Sequence, residues 1–246
     1  MRNPLNRLTT YIIITMAFIV ATASATSIRN TTTTADATAS LSKNYTVISR
    51  SANTRVFKRL VYETNQLGVL TSRPRGYIEL STGICYTNSL GEWQDTQEVI
   101  SQAGTGFSAM QGRHHAHWNS EGQLTVTTPA GNRLKSKVIG LNLFDNFTGS
   151  NVLFAADLSG GGTLVSSNTL EFDHIFTNLA DMAVRYIYRK SGVEQDLVIK
   201  TQIDPSALSA MGLNPASTRI QLITAFMEAP VPQRTTVTNN GEAIDA

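Results

Sequence analysis

The sequence predicts an all-β fold: an antiparallel β-sandwich-like domain with one short connecting helix, preceded by a signal peptide and a disordered leader. Three observations carry this. From Arg55 onward, apolar and polar residues alternate in short runs, the period-2 signature of half-buried strands. Turn clusters punctuate the runs, among them Leu90-Gly91-Glu92, Ser120-Glu121-Gly122, Thr148-Gly149-Ser150, Gly160-Gly161-Gly162 and Ser191-Gly192. No amphipathic stretch between them is long enough for the crossover helices that a parallel sheet requires.

The N-terminus reads as an address. Arg2 and Arg7 give a positive start, Tyr11 to Ala23 is an apolar run, and Ala23-Ser24-Ala25 has the small-x-small pattern read by signal peptidase. A membrane-spanning helix needs about 20 apolar residues, so residues 1–25 are expected to be a secretory signal. The membrane then enters only through export, and the remainder is expected in the periplasm, at the cell surface or secreted. Residues 26–54 contain 13 Ser or Thr and few large apolar side chains. Such a segment cannot offset the entropy of ordering and is expected to be a disordered leader.

Residues 55–229 form the predicted β-rich domain. Candidate strands are Arg55–Tyr62, Tyr77–Tyr86, Gln123–Thr128 and Leu134–Leu143, followed by Val152–Asp157, Thr169–Phe176, Ala183–Arg189, Val193–Lys200 and Thr218–Met227. Val184, Tyr186 and Tyr188 interleave with Arg185 and Arg189 in the clearest alternation. One helix start is legible, with Asp204 as N-cap, Pro205 at the first helical position and Gly212 as the stop. Residues 230–246 return to polar composition and are expected to be a tail or the start of a linker.

Composition narrows the function classes. Charged residues make up 15% of the chain, too few for a coiled coil or a histone-like binder. Loss of residues 1–25 removes Arg2 and Arg7 and balances basic against acidic side chains at 18 each. Nucleic-acid affinity rests on clustered Lys and Arg, so no nucleic-acid partner is expected.

Several constellations suggest chemistry. His115 and His117 share one face of a predicted strand, a spacing that suits two ligands of one transition metal. The run superficially resembles the HxHxDH zinc motif, but Asn119 and Ser120 stand where Asp and His belong, and His174 is the only distant third candidate. Cys85 is the single cysteine, in the strand-like run Gly83-Ile84-Cys85-Tyr86 with no visible base, and is expected to be buried and inert. Carboxylates such as Asp95, Glu98, Glu171, Asp173, Glu194 and Asp196 are numerous, but their contexts favour solvated charges and cross-strand ion pairs. Trp93, Trp118, Tyr86 and Phe107 are candidates for a sugar-stacking face. None of these sets is complete, so no catalytic, cofactor-binding or metal-ligating residue is assigned and no cofactor is expected.

Two stretches carry a family resemblance. Gly83-Ile84-Cys85-Tyr86 followed by Leu90-Gly91-Glu92-Trp93-Gln94-Asp95 resembles a segment near the N-terminus of large exported bacterial Rhs/YD-repeat-type proteins of verrucomicrobial type. Asp181-Met182-Ala183-Val184-Arg185-Tyr186 with the run from Gly192 to Ile199 is similar to the hairpin preceding their repeats, and Gly212 to Arg219 resembles a further segment of theirs. The resemblance implies a β-rich, non-catalytic region of a surface or secreted protein. The expected function is therefore an exported structural or interaction module with a protein or glycan partner. The alternatives are a carbohydrate-binding β-sandwich using Trp93 and Trp118, and a metal-assisted hydrolase centred on His115 and His117.

Overall fold

A computed structural model describes residues 45–231 throughout, together with three short strands at 11–13, 237–239 and 242–244. The described residues are mostly antiparallel strand. The largest sheet contains β1 (Tyr11–Ile13), β7 (Ser101–Ala103), β8 (Gly106–Ala109), β9 (His115–Trp118), β10 (Leu124–Thr127), β11 (Arg133–Asp145), β12 (Asn151–Ala155) and β17 (Thr218–Glu228). Its order is β1-β17-β11-β10-β9-β8-β7, and β12 pairs separately with β11. The facing sheet is β13 (Thr163–Ser166), β14 (Thr169–Phe172), β15 (Met182–Arg189) and β16 (Gly192–Ile199), in sequence order.

Alternation along these strands directs one face of each sheet inward. Phe107, Trp118, Leu124, Ser136 and Phe226 are successive register partners across β8, β9, β10, β11 and β17, so they form one row on the inner face. Met182, Val184, Tyr186 and Tyr188 supply the opposing face, and all four are buried. The rings of Trp118 and Tyr186 lie 5.8 Å apart, joining the layers in one hydrophobic core. That is the sandwich-like arrangement expected from the sequence.

The long strand β11 keeps its inner face by means of a bulge. Val138 is buried at an even position, whereas Leu141 and Leu143 are buried at odd ones. The change of phase falls between Val138 and Gly140, where Ile139 is the extra residue opposite β17. A bulge inserts one unpaired residue and reverses the facing of everything beyond it. Ile139 is correspondingly exposed.

A three-stranded sheet projects from the sandwich: β2 (Thr46–Ser51), β3 (Thr54–Thr64) and β4 (Leu70–Leu80). The strand β2 corrects the expectation of a disordered leader through residue 54. Its Ser/Thr-rich sequence buries little, but pairing with β3 satisfies its backbone. Expectations for residues 1–10 and 14–44 lie outside the described residues. The predicted strand Tyr77–Tyr86 is interrupted by a turn, so that its second part, β5 (Cys85–Thr87), pairs instead with β6 (Trp93–Asp95). The Gly160-Gly161-Gly162 run connects the two sandwich sheets. Residues 237–244, expected in a polar tail, contain the paired strands β18 (Val237–Asn239) and β19 (Glu242–Ile244).

Among the described residues there is one helix, α1 (Pro205–Ala210), and it starts where the sequence places it. Asp204 accepts from the Ser206 N–H as N-cap, and Gly212 follows the helix with φ +77°. Among the described residues, no helix is long and apolar enough to cross a membrane.

Candidate functional site

The histidine strand is divided by its own pleat. Ala116 and Trp118 point into the core, while His117 is exposed and His115 half-buried on the other face. Thr125 and Thr127 stand opposite the two histidines on β10. His114 is desolvated and lies near the Arg113 cation, so its pKa is lowered. His174 belongs to the β14–β15 connection, adopts φ +56°, and its Nδ1 lies 2.9 Å from Asp181. Among the described residues, no three His, Cys, Asp or Glu side chains are grouped to hold a metal ion.

The sugar-stacking candidates are also separated. Trp118 has no solvent exposure, and Phe107 packs on the sandwich core. A ring with no accessible face cannot stack on a pyranose, which removes Trp118 from that set. Trp93 stays 40% exposed on β6 and Tyr86 is half-buried on β5.

Cys85 is fully buried, with Sγ 3.6 Å from Asp95 Oδ1. Burial and then the Asp95 charge push the thiol pKa up, the opposite of what a nucleophile requires. Burial also pushes Asp95 upward, but Arg50 Nε at 3.0 Å and Arg55 Nη1 at 3.0 Å outweigh it and hold the carboxylate below its usual range. This cluster fastens the projecting sheet to the β5–β6 hairpin.

Several of the remaining carboxylates make structural pairs. Glu171, almost fully buried, takes Arg185 at 2.8 Å and Lys200 at 2.7 Å, and Lys200 also meets Asp173. Glu194 pairs with Arg189 at 2.7 Å. Glu98 accepts from the Lys190 backbone N–H at 2.9 Å. Asp145, which sequence reasoning passed over, is a fully buried hub. It accepts from Phe147 N and Thr148 Oγ1 of its own turn, and from Asn214 N and Ser217 Oγ before β17. Ser217 leads these donors in holding the Asp145 carboxyl far below the usual range. Only its position at the end of the long alternating run β11 hinted at burial.

The β3–β4 ribbon offers a different surface. Register pairs each residue of β3 with one of β4 from Thr54↔Leu80 to Thr64↔Leu70. Directly opposed residues share a face, so Val56, Leu60, Tyr62, Leu70, Pro74, Ile78 and Leu80 lie on one side, together with Thr54, Lys58, Thr64, Ser72 and Gly76. The other side carries Arg55, Phe57, Arg59, Glu63, Arg73, Arg75, Tyr77 and Glu79. That polar side is largely paired within itself, although Arg59 Nε and Tyr77 Oη are buried without a hydrogen-bond partner among the described residues. Arg73 and Arg75 reach Glu63 at 3.1 Å and 3.3 Å, Arg55 reaches Glu79 at 2.7 Å, and Phe57 stacks on Tyr77 at 4.5 Å. The apolar side is not covered: Leu60 is 58% exposed, Tyr62 63%, Ile78 62% and Leu80 74%. The strand β2 pairs only as far as Lys58, so from Arg59 outward the ribbon is two strands wide. Sequence reading missed this face because β4 was not legible beyond its last four residues.

No family model, no curated protein and no solved structure matches this chain.

Proposed function

We propose that the chain is an exported, non-catalytic interaction module of a secreted or cell-surface bacterial protein, similar to the β-rich N-terminal region of Rhs/YD-repeat-type proteins. The observation that supports this reading is the uncovered apolar face of the β3–β4 ribbon. Large apolar side chains exposed on one face of a sheet gain nothing from water, and a group of them marks a surface for a partner. A partner protein suits it, because large apolar side chains stand beside a few polar ones, Lys58, Thr64 and Ser72, as in protein interfaces generally.

The dispositions of the polar residues agree with a non-catalytic role. Asp95, Asp145 and Glu171 are each engaged by two or more structural donors or cations, and the Cys85 thiol is shut away from solvent. The positive start, apolar run and small-x-small site within residues 1–25 support export.

The reading is tested in cells. A photo-crosslinking amino acid replaces Leu60 or Tyr62 on the apolar face and Glu63 on the polar face, in the full chain expressed in a secreting bacterium. The proposal expects discrete protein adducts from Leu60 and Tyr62 and none from Glu63, with the product recovered outside the cytoplasm and beginning near Thr26. Equal crosslinking from both faces, or retention in the cytoplasm, overturns it.

A further inference from the structure

The sandwich is open along one edge. On one layer β16 is the outermost strand; on the other, β17 has only β1 beyond it. Gln195, Leu197 and Ile199 of β16 confront Ile220, Leu222 and Thr224 of β17 across this opening, bridged by Gln195 Nε2 donating to Thr224 Oγ1 at 3.3 Å. Between them lies an apolar groove of about 570 Å³. Asp196 is the one acidic residue among those that line it, and alternation turns its side chain to the other face of β16.

The backbone beside the groove is a strand acceptor. Tyr11–Ile13 pairs antiparallel with it through Tyr11↔Ala225, Ile12↔Thr224 and Ile13↔Ile223. That pairing covers three residues of an eleven-residue strand. Tyr11–Ile13 also lies within the segment that export would remove. From this arrangement, and resting on the reading of the chain as an exported module, we infer that the β17 edge and its groove accept an apolar β-strand from a partner polypeptide, a place that Tyr11–Ile13 holds in the precursor.

The geometry specifies the partner segment. It runs antiparallel to β17, because a strand of this chain already does so there. It carries uncharged apolar residues at alternate positions, because Ile220, Leu222 and Thr224 line one face of the acceptor. It lacks proline at positions that donate to β17. Main-chain bonds to the edge supply affinity and the groove supplies specificity, as in strand addition generally.

The test uses the chain beginning at Thr26 and a soluble peptide spanning Thr9–Met16 with lysines at both ends. Among the described residues, every buried core residue lies between Phe57 and Ala225, so this chain keeps that core. Amide hydrogen exchange is read at Ile223–Ala225. The proposal expects these amides to exchange at least about tenfold more slowly with saturating peptide, and a scrambled peptide to give no protection. Ile199→Arg, at the exposed rim of the groove, weakens peptide binding about tenfold or more with circular dichroism unchanged. The full chain shows the protection without added peptide. Unchanged exchange overturns the inference, and so does protection that rises with protein concentration alone, which puts a second copy in the groove. Either failure leaves the crosslinking and export measurements standing, so the two claims separate.

Discussion

Tyr186 and Asp145 represent two ways of burying a polar atom. The Tyr186 hydroxyl is enclosed in the core with no hydrogen-bond partner among the described residues, and burial drives its pKa well above the ordinary tyrosine range. An unsatisfied buried hydroxyl costs about 1–3 kcal/mol. Tyr186→Phe therefore raises stability by about 1 kcal/mol or more in urea unfolding; a loss of stability shows that the hydroxyl has a partner. Asp145, by contrast, is fully satisfied as an anion. Its folded pKa lies below the unfolded value of about 3.9, so its contribution is complete above that pH and is lost as pH falls through the folded value. Asp145→Asn accordingly destabilises at neutral pH, and its deficit against wild type shrinks below about pH 4. A deficit that stays constant from pH 7 to 3 rules out the ionised hub. Gly112 shows the same tight fit sterically. A Cβ there would stand 2.1 Å from Tyr188 Oη, which donates to His114 O at 2.7 Å.

At the scale of elements, the strands legible in the sequence were those whose alternation reports burial. Val184, Tyr186 and Tyr188 face the core through a whole strand, and their pattern is uninterrupted. The helix was legible because Asp204-Pro205 and Gly212 are local signals that need no tertiary partner. What escaped was structure made by pairing rather than by burial. Four of the six residues of β2 are Ser, Thr or Arg, and β4 has no buried residue at all. The bulge at Ile139 was hidden as well, because a phase slip within a run of apolar residues leaves no mark in composition. The ribbon's independence yields a prediction. Replacing Leu60–Pro74 with Asn-Gly joins the register partners Arg59 and Arg75 through a two-residue turn and removes no core residue. The melting temperature is expected to stay within about 4 °C of wild type, with partner crosslinking lost; a drop much beyond that places the ribbon in the cooperative core.

For the molecule as a whole, the two-sheet architecture was readable because it follows from strand periodicity and turn spacing. The surfaces were not. The apolar face of the ribbon depends on which residues of two strands stand opposite each other. The edge groove joins Leu197 to Leu222 across the two layers, and no local motif announces either. The histidine strand misled in the opposite direction. The run from Arg113 to Trp118 is the loudest stretch of the sequence, yet its pleat spends Trp118 on the core and turns His117 to solvent. Adjacent chemistry in sequence is not convergent chemistry in space.

The account rests on one packed sandwich from which the ribbon stands apart. Native-state amide exchange resolved by residue tests that most directly. The slowest amides are expected together in Val138–Leu143 of β11 and Val184–Tyr186 of β15, exchanging only through global unfolding, while Leu60–Thr64 and Leu70–Pro74 exchange orders of magnitude faster. Slow exchange in the ribbon with fast exchange in β11 or β15 would contradict it.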